Sequence, residues 1–297
     1  MGGGAPSAPS NKLNMSPIAK AMLVLALAAP LVASAQSGFG PLDPTPPSGI
    51  SVGDIIKHFG EKEAEFKQAR DDYTFRQSVK VDTIDDDTGK VDGEYQQVTD
   101  ITFSPDGKRD EHVVFAPANT LERVMMSPTD FDEIEHRLPF ILTTEDLPQY
   151  DVKYLGKQKV DDLQTYVFEA GPKQIVKGHH YFQGKIWVDQ QDLEIVLING
   201  RTVPQDTRVG HEDLQPPFTT YYEQVDGKYW FPVYTKAEGV LHFQAQRDAL
   251  SQDVHLRSIV KYTDYKRFRA TSRIIYNGQD ITGDQPQATP SPAPPPK

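Results

Sequence analysis

The sequence predicts a mainly β fold, antiparallel, with a few covering helices. Three observations carry it: about eleven segments that alternate apolar and polar residues, short turns rich in Asp, Gly and Pro between them, and no strand–helix–strand alternation. An antiparallel sheet of that length curls or closes rather than staying flat. The chain has 297 residues, a formal net charge of −11 and no cysteine. The acidic balance argues against a nucleic-acid partner, whose phosphates would be repelled. Without cysteine there are no disulfides and no thiolate metal site, so an ordinary hydrophobic core must hold the fold.

The N-terminus reads as a secretory leader. Met22–Leu27 is an apolar core, Lys12 and Lys20 precede it, and Ala33-Ser34-Ala35 is a small-x-small cleavage signature. The run is too short to cross a bilayer as a stable helix. The mature chain is expected to begin near Gln36, outside the cytoplasm. A lipid-anchored lipoprotein needs a Cys at that point and Gln36 stands there, so no stable membrane anchor is expected. The expected organisation is a leader over 1–35, a Pro-rich linker over 36–49, one domain over 50–283, and a disordered Pro-rich tail over 284–297.

The domain opens with a helix. Ser51 is placed to cap it with Asp54 three residues on, and Val52, Ile55, Ile56, Phe59, Phe66 and Ala69 recur at helical spacing. The charged run Glu61–Glu65 is expected to face water. Strands follow. In Tyr73–Thr83, Tyr73, Phe75, Val79 and Val81 share one face, with Thr74, Arg76, Ser78, Lys80 and Asp82 on the other. Glu94–Phe103 places Ile101 and Phe103 together. Pro105-Asp106-Gly107 is a turn, Asp110–Phe115 a strand and Leu121–Met126 a short one. Thr129–Arg137 reads as a short acidic helix, followed by the apolar cluster Leu138, Phe140, Ile141 and Leu142. Strands resume at Tyr150–Val160, Gln164–Ala170, Tyr181–Val188, Leu193–Gly200 and Phe218–Val225. Asp226-Gly227 is a hairpin signal, and Lys228–Glu238, Leu241–Gln246 and Val254–Phe268 complete the series. The strands are rich in aromatics, which either fill a solid core or line a cavity for something greasy.

Chemistry is hard to place. The histidines lack metal-ligand spacing, and His179-His180, adjacent on a strand, would point to opposite faces. Asp85-Asp86-Asp87-Thr88-Gly89 fails the calcium-loop pattern, because the sixth position is Lys90 rather than Gly. Asp161-Asp162 lies between two strands, where Asp favours turns. No nucleophile elbow and no phosphate loop occur. No cofactor, metal or catalytic residue is predicted.

Three stretches resemble the periplasmic outer-membrane lipoprotein-sorting family, the LolA-like proteins that share a fold with LolB, LppX and RseB. They are Tyr150–Gly156 running on through Val160–Leu163 to Thr165–Phe168, then Gly184–Asp189 with Leu193–Val196, and then Val225–Pro232. The order fits consecutive hairpins of that sheet over most of Asp71–Phe268. The resemblance implies a strongly curved, half-open, barrel-like antiparallel sheet with a helical lid, and acyl chains held between sheet and lid. It implies a non-enzymatic carrier in the periplasm, with a lipoprotein's acyl chains or a related lipid as cargo and with inner-membrane donor and outer-membrane acceptor partners. A sensor or interaction module of the RseB type is the alternative. On this reading Phe75, Val79, Ile101, Phe103, Trp187 and Trp230 line the cavity. Ile55, Ile56, Phe59, Phe140, Ile141 and Leu142 form the lid, and Arg76 is placed to interact with it.

Overall fold

The computed structural model describes residues 1–2, 38–104, 108–124, 142–204, 216–243, 252–267, 275–276 and 279–280. The chain divides into two units, Met1–Ser37 and Gly38–Lys297. Of the first, only Met1 and Gly2 are described; every helix and strand among the described residues belongs to the second. The leader core, the turn at 105–107, the helix expected over 129–137 and the Pro-rich tail lie outside the described residues.

One helix, α1 (Val52–Ala69), precedes ten strands: β1 (Tyr73–Ile84), β2 (Val91–Phe103), β3 (Arg109–Phe115), β4 (Tyr150–Val160), β5 (Leu163–Pro172), β6 (Tyr181–Asp189), β7 (Ile195–Val203), β8 (Phe218–Gln224), β9 (Trp230–Phe243) and β10 (Gln252–Arg267). A two-residue hairpin, β11 (Ile275–Tyr276) with β12 (Gln279–Asp280), stands apart from the main sheet. The sheet order is β3-β2-β1-β10-β9-β8-β7-β6-β5-β4 and every pair is antiparallel. The chain therefore runs outward from β1 to the edge β3, crosses to the far edge β4, and returns strand by strand until β10 pairs with β1. The result is an open, curved antiparallel sheet with α1 against its inner face.

Two expectations about strands are corrected. Leu121–Val124 is not a strand. Leu121 and Val124 instead pack against the inner-face cluster of Val79, Val81, Val254 and Leu256, so burial of their side chains takes precedence over ladder pairing. The break expected after Glu238 is absent, because β9 runs straight through Gly239. A Cβ there would lie 3.0 Å from Pro216 Cβ, so this glycine admits a close neighbour rather than ending the strand. The turn chemistry does match its signals. Asp226 Oδ1 accepts from the backbone N–H groups of Lys228 and Tyr229 at 3.0 and 3.1 Å, and Gly227 takes φ 75°. Asp161 takes φ 49° in the tight β4–β5 turn.

The residues expected to be a plain linker have a structural task at the β4 edge. Gly40 N–H donates to Lys159 at 2.8 Å, and Asp43 and Lys157 exchange backbone bonds of 2.8 and 2.7 Å. An edge strand with unpaired backbone groups invites foreign pairing, and this strap occupies part of that edge. Phe39 anchors it, its ring 5.8 Å from Trp187 in an edge-to-face contact. Phe39→Ala should uncover Trp187 and shift its emission to the red. A Trp230→Phe background isolates that signal, since the chain has only two tryptophans. An unshifted spectrum would mean that the strap does not seal this site.

Candidate functional site

The candidate site is the inner face of the sheet and the helix that lies on it. Ser51 caps α1 as its spacing predicts: its Oγ accepts from Asp54 N–H at 3.0 Å. The apolar stripe then meets the sheet. Ile55 and Phe59 are fully buried, and with Leu142 they join Phe168, Ile186, Val188, Ile195 and Ile198 in the largest cluster of the molecule. Ile56 is half-buried beside them. Phe59 stacks edge-to-face on Phe168 at 5.8 Å. Gly60 lets the segment after Leu142 approach, for a Cβ there would lie 2.7 Å from Leu147 Cδ1, and its carbonyl accepts from Thr144 N–H at 3.2 Å.

From the end of α1 a file of aromatic rings crosses to the other half of the sheet. Phe66 meets Phe231 at 5.0 Å, Phe231 meets Tyr265 at 4.7 Å, and Tyr265 meets Phe75 at 5.3 Å. Tyr265 reaches this face because of an irregularity. β1 and β10 shift register between Thr74 and Arg76, and Asp264 takes φ 58°. The extra residue turns Tyr265, rather than Asp264, inward. Farther along, Val79 and Ile101 are buried on the same face, with Phe75 and Phe103 half-buried. The polar side chains Gln77 and Thr99 are buried between them, and Arg109 donates to Gln77 at 3.1 Å.

The residues singled out from the sequence therefore do not all fall in one place. Phe75, Val79, Ile101 and Phe103 share the inner face near β1–β3, and Ile55, Ile56, Phe59 and Leu142 cover its other half. Phe140 and Ile141 lie outside the described residues. Trp187 and Arg76 are on the opposite face. Trp187 alternates with Ile186 and Val188 along β6, so when they point at α1 it points away, into the cluster capped by Phe39. It does not line the helix-covered face. Arg76 likewise points away from α1 and binds Asp100 of β2 through two hydrogen bonds, of 2.7 and 3.0 Å. That pair, not the helix, satisfies its guanidinium. Trp230 is half-buried at the end of the sheet, touching both clusters, and its indole N–H donates to Asp192 at 3.2 Å.

Sequence reasoning misplaces one acidic residue of the site. Glu63, in the run expected to face water, is buried under α1. The signal was present: Glu63 follows Phe59 by four residues and precedes Phe66 by three, which puts it in the apolar stripe. Its charge argued for water against its position. Burial pushes the Glu63 carboxyl up to about 8, with the nearby Glu194 charge adding to the shift and the Leu142 N–H opposing it. Burial also lifts Glu194 to about 7, against the pull of Lys62.

On the outer face, Asp82 is closed in beneath Arg257 and Lys80. Arg257 donates to its Oδ2 at 2.7 and 3.2 Å, and Lys80 Nζ lies 3.1 Å from Oδ1 as an ion pair outside hydrogen-bond geometry. His255 bridges Asp86 and Glu238, each at 3.2 Å. Among the described residues no three His, Asp or Glu side chains gather as metal ligands, and no described helix is long and apolar enough to cross a membrane.

No family model and no curated protein matches the chain. Several solved structures do. One is a DUF1329 family protein from Desulfovibrio piger, 14% identical, covering 77% of this chain and 95% of its own, with a TM-score of 0.35. A second is a domain assigned to outer membrane lipoprotein sorting from Vibrio parahaemolyticus, 13% identical, covering 72% and 93%, with a TM-score of 0.30. A third is the MucA/MucB complex of Pseudomonas aeruginosa, 9% identical, covering 73% and 99%, with a TM-score of 0.21.

Proposed function

We propose that the protein is a soluble periplasmic carrier, exported with a leader removed near Ala35, that takes a lipoprotein's acyl chains or a related lipid between α1 and the inner face of the sheet. Binding is non-covalent and involves no catalytic step. Apolar burial drives it, at roughly 25 cal/mol per Å² removed from water. The observation that supports this reading best is the uneven cover of the inner face. α1 seals the half around Phe168 and Ile186, while Phe75, Phe103 and Tyr265 stay half-buried toward β1–β3, and the aromatic file links Phe75 and Tyr265 to the helix. Lifting α1 would join the two halves into one apolar trough. Inner-membrane donors and outer-membrane acceptors are the partners that such a carrier needs.

Titration with a fluorescent fatty-acid probe tests this. The unaltered protein should bind it saturably. Phe75→Glu and Ile56→Glu should abolish binding while circular dichroism keeps its β signal. Both positions are half-buried, and a glutamate at 75 has Arg109 in reach, whose guanidinium carbon sits 6.0 Å from the Phe75 ring centre. Absence of binding by the unaltered protein would discard the carrier reading in favour of an interaction module on the same fold.

A further inference from the structure

Two carboxylate side chains are closed into the seam between α1 and the sheet. Glu63 comes from α1, on the stripe that carries Phe59 and Phe66, and is 7% exposed. Glu194 comes from the β6–β7 connection and is 6% exposed. Their surroundings are unequal. Glu194 has a cation, Lys62 Nζ at 3.9 Å, and accepts from the Trp230 backbone N–H. Glu63 accepts from the Leu142 backbone N–H, and among the described residues no cation pairs with it. The other titratable groups around the seam give it little help. Tyr222 of β8 faces it, with Tyr262 and Tyr265 of β10 behind, and burial holds the Tyr222 phenol protonated. On its own helix Lys62 is shared between Glu194 and Glu65, the latter at 3.8 Å, and Asp192 adds a further negative charge beside Glu194. A buried carboxylate without a counter-charge is costly, and a second one nearby raises the cost.

We infer that Glu63 and Glu194 form a proton-controlled latch for α1: with Glu63 protonated the helix stays seated, and loss of that proton, opposite a Glu194 already ionised, lifts it from the sheet. The direction follows from linkage. Both groups sit above the ordinary carboxylate value of about 4.3, so the seated state binds more protons than the unseated one. Seating is strongest below that ordinary value. It weakens as pH rises through about 7 for Glu194 and about 8 for Glu63, and levels off above. The latch rests on the carrier reading only for what it gates: it would hold cargo in acid and release it in mild alkali.

The absence of cysteine allows a direct test. Ala69 is buried in the last turn of α1, and Ala69→Cys places a single thiol there that is reachable only when the helix lifts. Its labelling rate, divided at each pH by that of the same variant unfolded in urea, gives the open fraction. That fraction should rise at least about tenfold between pH 6 and 9. With Glu63→Gln added the rise should be much smaller, because only Glu194 is left to titrate. An open fraction independent of pH, or an equal rise in the Gln variant, would overturn the latch. Should Ala69→Cys fail to fold, thermal midpoints carry the same test. The unaltered protein should lose more stability than Glu63→Gln between pH 6 and 9, and equal losses would overturn the latch. No lipid is present in either measurement. Opening that depends on pH without probe binding leaves the latch and removes the carrier; probe binding with pH-independent opening does the reverse.

Discussion

Phe59→Ala should lower the unfolding free energy by about 3–4 kcal/mol, the usual cost of emptying a fully buried phenylalanine site. Phe59 is inaccessible to solvent and contacts Phe168 edge-to-face at 5.8 Å, a geometry that adds to simple area burial. The site is poorly placed to collapse, because β5 and β6 beneath it are each paired on both sides. The loss also has a ceiling. Once the deficit exceeds what seats α1, the helix lifts and the sheet stays folded. Urea unfolding gives the total, and hydrogen exchange gives its location. Amides of α1 should lose protection by a larger factor than those of β5 to β7. An unfolding free energy within about 1 kcal/mol of the unaltered protein would mean that the helix is not energetically joined to the sheet.

Asp82→Ala should cost about 2–3 kcal/mol through a different mechanism. Asp82 is 1% exposed and holds Arg257 and Lys80 together across β1 and β10. Removing it leaves two cations facing each other with no carboxylate between them. Breaking one side of a buried pair costs more than the pair was worth, because the remaining charges have lost their compensation. Both cations keep partial solvent access, and Lys80 retains Glu94 at 2.7 Å, which holds the loss below the fully buried range. Asp82→Asn keeps the shape and one acceptor, so it should lose less. Chemical denaturation of the two variants side by side checks the order, and a larger loss for Asn than for Ala would refute the charge argument.

The two variants probe opposite faces of the fold, and for β1 the sequence assigned those faces correctly. Tyr73, Phe75, Val79 and Val81 point one way, with Arg76, Lys80 and Asp82 the other, because side chains on a strand must alternate. The helix, its Ser51 cap, the Asp226-Gly227 and Asp161-Asp162 turns and most strand bounds were legible for the same reason. Each depends on a period, a φ preference or a hydrogen bond within a few residues.

Other features depend on neighbours far away in the chain. Trp187 looked like a cavity residue because it is large and aromatic, yet the phase of β6 relative to α1 turned it toward Phe39, some 148 positions earlier. Arg76 found its partner in Asp100 through the register of β1 on β2. Tyr265 came inward through an irregularity centred on Asp264, which no alternation rule anticipates. Glu63 is the instructive case, since its spacing placed it in the apolar stripe and its chemistry argued for water. Local pattern determined that this chain forms an antiparallel sheet with an amphipathic helix before it, since hydrophobic period and turn chemistry are properties of adjacent residues. Only the tertiary structure decided which face α1 covers, how the aromatics join into a file, and that Glu63 and Glu194 meet in one seam. Those outcomes depend on register and burial between segments far apart in sequence, where the low dielectric of the closed seam, rather than the residue type, sets the behaviour of the charge.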